Sequence, residues 1–170
     1  ELALVIGRKG FRIAESDALD HVAGYMIGLD MTIRGTEDRS FRKSLDTFTV
    51  LGPHVVTADE IGDPGNLDFE IKVNGETRQK SNTSLLIWNV QKLIAYASKA
   101  YTLHPGDVIM TGTPEGVAPV SPGDTLKVRL TAKSKTQRNA DYGEVRWDVA
   151  VTNQEGEQVA SYELLTMNAV

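Results

Sequence analysis

Residues 67–81, LDFEIKVNGETRQKS, carry the clearest structural signal in the chain. Phe69, Ile71 and Val73 alternate with polar residues, which is the period of a strand that is apolar on one face. Asn74-Gly75 follows at once, and this dipeptide tolerates the positive φ angles of a two-residue hairpin turn. The stretch therefore predicts a β-hairpin in a fold dominated by antiparallel strands.

Similar patterns elsewhere predict more strands. Short apolar or alternating runs bounded by turn residues predict strands at ELALVIG (1–7), GYMIGLDMTIR (24–34), TVLGPHVVTADEI (49–61, broken by Gly52 and Pro53), HPGDVIM (104–110), SPGDTLKVRLTAKS (121–134) and on both sides of NQEGE (153–157). Ser16 is predicted to cap a short helical stretch. Strands and helices do not alternate in the βαβ manner. The expected fold class is mainly β (α+β), largely antiparallel, with one long helix.

That long helix is predicted within residues 82–100, NTSLLIWNVQKLIAYASKA. Asn82, Thr83 and Ser84 offer N-terminal caps. The apolar residues of one helical face would be Leu86, Val90, Leu93, Ile94 and Ala97. The spacing predicts an amphipathic helix with a single buried face.

Composition limits the classes of function. With 170 residues, 41% hydrophobic and 24% charged, the chain fits one globular domain with a real core. The net charge is −5 and no basic stripe stands out, so nucleic acid and membranes are not expected partners. Absence of cysteine excludes disulfides, thiolate metal sites and cysteine nucleophiles, and suits a cytoplasmic location. Because the first residue is Glu1, we expect a chain that has lost its natural start.

Acidic residues are the best candidates for chemistry. Serine-hydrolase and phosphate-binding motifs are absent. Asp30 lies within the apolar stretch YMIGLDMTI, where a buried carboxylate needs a partner or a metal; alternatively, the strand alternates and Asp30 faces water. In an extended strand Asp30, Thr32 and Arg34 would share a face, and Lys43 follows. Such a set suits a hard cation and an anionic substrate.

A second candidate is the stretch TGTPEGV at residues 111–117, which follows a β-branched run. One interpretation is a tight turn between two strands. The other is a segment whose hydroxyls and backbone amides line the rim of a site, where glycine lets the backbone come close.

Five blocks of the chain resemble the fumarylacetoacetate hydrolase family, which includes acylpyruvate hydrolases, 2-oxo acid decarboxylases and hydroxymuconate-type isomerases. The blocks are, in order, ELALVIGRKG, VAGYMIGLDMTIR, RKSLDTFTVLGPHVVTADEI, VNGETRQKSNTSLLIWNVQKLIAYASKAYTLHPGDVIMTGTPEGV and SPGD, within residues 1–127. The resemblance implies a β-sandwich or roll with one long helix, and a homodimer. It also implies an enzyme that hydrolyses, decarboxylates or isomerises small 2-oxo or diketo acids through an enolate.

The same resemblance implies specific site residues. The family holds Mg²⁺ or Mn²⁺ with two glutamates of an E-x-E pair and one aspartate. Glu1 is similar to the second glutamate, whose partner would precede it by two residues, and Asp30 is similar to the aspartate. Lys43 resembles the lysine that reaches the bound oxyanion. Arg34 resembles an arginine beside the metal, and Thr113 the threonine that contacts the substrate carboxylate.

Two departures from the family pattern stand out. Where the family often has R-D-x-Q, this chain has Gly35 and Glu37 after Arg34, so contacts to substrate are expected to differ. The family's lid, with its His–Glu pair, is expected upstream of Glu1. Hydrolysis needs a general base, and residues 1–170 offer no clear candidate.

The C-terminal segment, residues 128–170, instead resembles the last strands of a MaoC-type hot-dog domain. Both families have a P-G-D-T-like turn before a strand, which places a junction near residues 122–128. The expected organisation is a catalytic core at 1–127 and a structural β tail at 128–170. Two alternatives to the enzyme remain at this point: a non-catalytic truncated or chimeric scaffold, and, third in order, a hot-dog protein of the enoyl-CoA hydratase kind.

Overall fold

The computed structural model describes the backbone of residues 1–132, 142–152 and 158–169, and the side chains of residues 1–131. The strands are β1 (Leu2–Ile6), β2 (Val22–Asp30), β3 (Thr49–Thr57), β4 (Leu67–Val73), β5 (Glu76–Asn82), β6 (Val108–Met110), β7 (Leu126–Ala132), β8 (Tyr142–Thr152) and β9 (Gln158–Ala169). The α-helices are α1 (Ala58–Ile61) and α2 (Val90–Ala100), and 3-10 helices span Glu15–His21, Phe41–Lys43 and Thr83–Leu85. The predicted fold class, mainly β with antiparallel sheets, is confirmed. In the described ranges, no helix combines the length and apolarity required to cross a bilayer.

The first of two compact units contains residues Glu1–Ala58 and Trp88–Gly112. Its sheet has the order β3-β2-β1-β6, and all its neighbours are antiparallel. The central strand β1 buries Leu2, Ala3 and Leu4 in succession. A strand covered on both faces needs such an unbroken apolar run, which is why ELALVIG does not alternate.

Helix α2 begins later than the sequence predicts. Asn89 is its N-cap, and the Asn89 side chain accepts a hydrogen bond from the backbone N–H three residues on. The predicted caps are wrong for this helix: Asn82 caps the short 3-10 helix instead, and Leu86 lies outside α2. Asn89 starts the helix because it directly precedes the buried face, which Val90 and Ile94 form as predicted.

The predicted cap at Ser16 is also wrong. The 3-10 helix Glu15–His21 follows Ala14, and none of the described side chains caps it. Ser16 lies inside the helix, and its hydroxyl donates to the adjacent Asp17 carboxylate over 2.7 Å. Ala14 occupies the N-cap position, so the Ser16 hydroxyl lies one turn position too late to accept from the first backbone N–H groups of the helix.

The second unit contains residues Asp59–Ile87 and Thr113–Val170, with a sheet of order β5-β4-β7-β9-β8. The hairpin prediction is confirmed, because β4 and β5 pair antiparallel around a turn in which Asn74 has φ of 52° and Gly75 of 84°. The short contact between β7 and β9 is parallel. The last two predicted strands, β8 and β9, pair antiparallel. Their NQEGE turn and their predicted side-chain alternation lie outside the described residues.

A matched pair of isoleucines tests the core of the first unit. Ile94 is fully buried in α2, whereas Ile87 is 96% exposed. Ile94→Ala is expected to lower the free energy of unfolding by about 2–5 kcal/mol, because it removes buried methyl groups and leaves a cavity. The same change at Ile87 is expected to stay within about 0.5 kcal/mol. Chemical denaturation measures both, and equal effects would contradict this description of the core.

Candidate metal centre

Glu1 and Asp30 lie on the same face of the first sheet. The Glu1 amino group donates to the Gly28 carbonyl over 2.8 Å, and the Gly28 N–H donates to the Glu1 carbonyl over 3.0 Å. This exchange continues the register that pairs Leu2 with Ile27. Residues that oppose each other share a face, as do residues two apart on one strand. Asp30 is therefore the diagonal neighbour of Glu1, with Cβ atoms about 7 Å apart in such a pair.

The Glu1 carboxylate is held by the backbone that follows β6. Glu1 Oε2 accepts a hydrogen bond from the Gly112 N–H over 2.7 Å. Among the described side chains, the other carboxylate oxygen of Glu1 has no hydrogen-bond partner.

Lys43 joins this cluster through Asp30. The Lys43 ammonium forms an ion pair with the Asp30 carboxylate and donates to Thr32 Oγ1 over 3.2 Å. The Asp30 side chain is 24% exposed and that of Lys43 45% exposed. The ion pair therefore sits at the boundary with solvent, where the lysine can move to another anion without leaving a buried charge behind.

The loop between β2 and β3 positions Lys43. Asp38 Oδ1 accepts hydrogen bonds from the backbone N–H groups of Ser40 and Phe41, over 2.8 and 3.4 Å, at the start of the 3-10 helix that ends at Lys43. These backbone donors, Ser40 first, lower the pKa of Asp38, which lies at the surface. The carboxylate thus acts as an Asx-type cap that closes the turn before Lys43. The sequence signal for it is the acid two residues before a serine.

Arg34 does not lie on the same strand as Asp30. β2 ends at Asp30, whose partner Thr49 is the first residue of β3, so within the described residues the pairing of β2 with β3 stops at this pair. The prediction that residues 30, 32 and 34 share a strand face is therefore wrong. Thr32 reaches the cluster through Lys43 instead, while Arg34 is exposed and forms no ion pair within residues 1–131.

Gly35 and Glu37, the two residues that differ from the R-D-x-Q pattern, are close in space. A Cβ added at Gly35 would lie 2.0 Å from Glu37 Oε2, so the Glu37 carboxylate fills the space of a side chain at 35. An aspartate at 35 would displace that flexible, exposed side chain.

Thr113 belongs to the second unit. Its hydroxyl accepts a hydrogen bond from Gln79 Nε2 over 3.0 Å. Residues 113–116, here called the threonine loop, end at Gly116, whose φ of +91° favours glycine. The hydrogen bonds of Gln79 were not foreseen from the sequence, although a glutamine in an otherwise apolar register position is a usable signal.

The two acids fit a hard divalent cation. Carboxylate oxygens are the ligands that Mg²⁺ and Mn²⁺ prefer, and the Lys43 ammonium beside Asp30 indicates a place that stabilises positive charge. Among the described side chains, no three Asp, Glu, His or Cys residues form a metal site. Glu1 and Asp30 would therefore need further ligands from water, substrate or another part of the protein.

Comparison with known proteins identifies the family. The fumarylacetoacetate (FAA) hydrolase C-terminal family matches residues 1–150, and the chain belongs to this family. The family resemblance found in the sequence is thereby confirmed, and the match extends beyond residue 127.

Several individual proteins of known name or structure are similar to this chain. The chain is 59% identical over 130 residues to a maleylpyruvate hydrolase of Aquipseudomonas alcaligenes, covering 76% of this chain and 45% of that protein. It is 48% identical over 123 residues to a mitochondrial oxaloacetate tautomerase of Xenopus laevis, covering 69% of this chain and 39% of that protein. The crystal structure of maleylpyruvate hydrolase from Sphingobium sp. SYK-6 with manganese(II) and pyruvate matches with a TM-score of 0.74 at 47% identity, covering 76% and 48%. The chain thus spans less than half the length of each of these relatives.

Proposed function

We propose that this protein is a divalent-metal-dependent enzyme of small 2-oxo or diketo acids. The observation that carries the proposal is the placement of the Glu1 and Asp30 carboxylates on one sheet face, with the Lys43 ammonium beside Asp30. Support comes also from two relatives that carry the names of 2-oxo acid enzymes, and from one solved with manganese(II) and pyruvate.

In this proposal Glu1 and Asp30 would hold Mg²⁺ or Mn²⁺. When bound, such an ion supplies a Lewis acid that polarises the oxo group of the substrate. Lys43 would leave Asp30 and place its ammonium beside the oxygen on which negative charge develops. The partial exposure of both side chains supports this role, because breaking the ion pair leaves neither charge fully buried.

Two further residues would bind the anionic end of the substrate. By the family resemblance, Thr113 would donate its hydroxyl proton to the substrate carboxylate, and Arg34, as the arginine beside the metal, would attract an anionic substrate electrostatically. The exposed guanidinium of Arg34 has no competing ion pair within residues 1–131, which supports this role. Carbon–carbon hydrolysis, decarboxylation and keto–enol isomerisation all develop charge on the same oxygen, so one set of residues serves all three.

The alternative function is a non-catalytic scaffold that keeps the fold. One observation favours it: within the described side chains only two acids come together, and no third metal ligand joins them. Metal binding separates the two functions, because a scaffold of this kind gains no stability from the ion.

Three broader features belong to the same proposal. The tail at 128–170 is proposed to be a structural β segment of the MaoC hot-dog kind, following a core at 1–127; its support is the P-G-D-T turn and the two long final strands. A homodimer is proposed from the family resemblance. A cytoplasmic location is proposed from the absence of cysteine.

Thermal unfolding with and without Mn²⁺ tests the proposal. An ion that binds only the folded state, at 100 times its Kd, raises the free energy of unfolding by about 2.7 kcal/mol. For a chain of this size we expect Tm to rise by about 5–10 °C, and EDTA to reverse the rise. Pyruvate added with Mn²⁺ should raise Tm further. No response to either would leave the scaffold as the better description. Acylpyruvate cleavage and oxaloacetate decarboxylation, assayed side by side, then identify the reaction.

A further inference from the structure

Gln79 is a polar residue on the apolar face of the second sheet. It pairs with Ile71 on β4, and Ile71 pairs with Val128 on the other side, so the three side chains share one face. Gln79 is half-buried, whereas its neighbours Arg78 and Lys80 on the same strand are exposed. A partly buried amide on an apolar surface needs hydrogen-bond partners.

The partners of Gln79 are all in the threonine loop. Nε2 lies 3.0 Å from Thr113 Oγ1, 2.9 Å from the Pro114 carbonyl and 3.1 Å from the Glu115 carbonyl. Carbonyl oxygens only accept, so these two contacts fix the amide with its nitrogen toward the loop. The Thr113 hydroxyl must then accept from Gln79, and its own proton is free to donate elsewhere.

The backbone next to Gln79 holds the same loop. A Cβ added at Gly116 would lie 2.1 Å from the Arg78 carbonyl, so the loop backbone rests directly on β5. Amide hydrogen bonds from Gln79 and the close backbone contact at Gly116 therefore hold the threonine loop against β5.

We propose that Gln79 is a positioning residue that holds the threonine loop and directs the Thr113 hydroxyl proton toward the substrate carboxylate. This inference rests on the proposed function, in which Thr113 binds that carboxylate. It predicts that Gln79 affects binding of a 2-oxo acid and leaves metal binding unchanged, because the amide contacts the threonine loop and none of Glu1, Asp30 and Lys43.

The test is pyruvate binding at saturating Mn²⁺, measured by isothermal titration calorimetry. Gln79→Met keeps the length of the side chain, suits an apolar face and removes the donor. It is expected to weaken pyruvate binding about tenfold, as for loss of one oriented hydrogen bond to a charged group, and to leave the Kd for Mn²⁺ unchanged. Gln79→Glu, which presents only acceptors to two carbonyls, is a second variant with the same expected direction. The matched control is Gln91→Met, since Gln91 is also half-buried but its side chain forms no hydrogen bond within residues 1–131.

A double-mutant cycle with Thr113→Val distinguishes positioning from general support of the fold. Once the hydroxyl is gone, Gln79→Met should change pyruvate binding by less than about twofold, because the amide has nothing left to direct. Additive effects, an unchanged pyruvate Kd in Gln79→Met, or loss of Mn²⁺ binding along with pyruvate would each overturn the inference alone. A wild-type chain that binds Mn²⁺ but not pyruvate would overturn the proposed function as well.

Discussion

Asp30→Asn is expected to weaken Mn²⁺ binding by more than about 100-fold and to abolish turnover of 2-oxo acids. Loss of an outer-shell partner of a metal ligand reduces affinity by about 10–100-fold, and loss of a ligand itself should exceed that range. Asparagine keeps the shape of the side chain but removes the charge that pairs with Lys43 and would help to hold the ion. Calorimetric titration with Mn²⁺ and a steady-state assay with oxaloacetate measure the two effects.

Asp46→Asn is the control for this change. Asp46 lies in the same loop region, is exposed, and has no hydrogen bond within residues 1–131. It should bind Mn²⁺ as the wild type does. If Asp30→Asn retained wild-type Mn²⁺ affinity, Asp30 would not be a ligand and the metal centre would have to lie elsewhere.

The elements that the sequence predicted correctly depend on local signals. The Asn74-Gly75 turn forces positive φ angles, and the alternation of LDFEIKV fixes which face is buried, so the hairpin follows from fifteen residues. Helix α2 followed from its apolar period, but its start did not. The three predicted cap residues lie too early, and the helix instead begins after Asn89, directly before the buried Val90.

Local sequence patterns predicted less of the candidate site than of the fold. A strand pattern alone left Asp30 either buried or facing water, and it wrongly extended the strand to Arg34, because the end of β2 is set by where β3 begins to pair. Glu1 and Asp30 are 29 positions apart in sequence. Only the register of β1 on β2 places them on the same face of the sheet. The family resemblance supplied that pairing, and residue chemistry did not.

The contacts of Gln79 show what no local pattern contains. Its three acceptors lie more than thirty positions away in sequence. A strand pattern predicts only that the side chain at 79 shares a face with Ile71. Which loop covers that face is decided by the tertiary fold.

Lys43→Met is expected to change metal binding and turnover in opposite directions. The Lys43 ammonium is the counter-ion of Asp30, so it competes with a divalent cation for the same carboxylate. An ion pair with partners as exposed as these contributes up to about 1 kcal/mol, so its removal should tighten Mn²⁺ binding by up to about fivefold. Turnover should fall by about 10²–10³, the effect of losing one preorganised group beside a developing negative oxygen. Titration with Mn²⁺ followed by electron paramagnetic resonance, with steady-state kinetics, measures both.

The opposite signs make this variant informative. Damage to the fold would weaken Mn²⁺ binding and turnover together, as the loss of Asp30 should, and so would not imitate the expected result. Lys9→Met removes an exposed lysine that forms no ion pair within residues 1–131, and it should change neither quantity. Weaker Mn²⁺ binding in Lys43→Met would contradict the competition. It would mean that the lysine assists binding of the cation, because removal of a competitor can only tighten that binding.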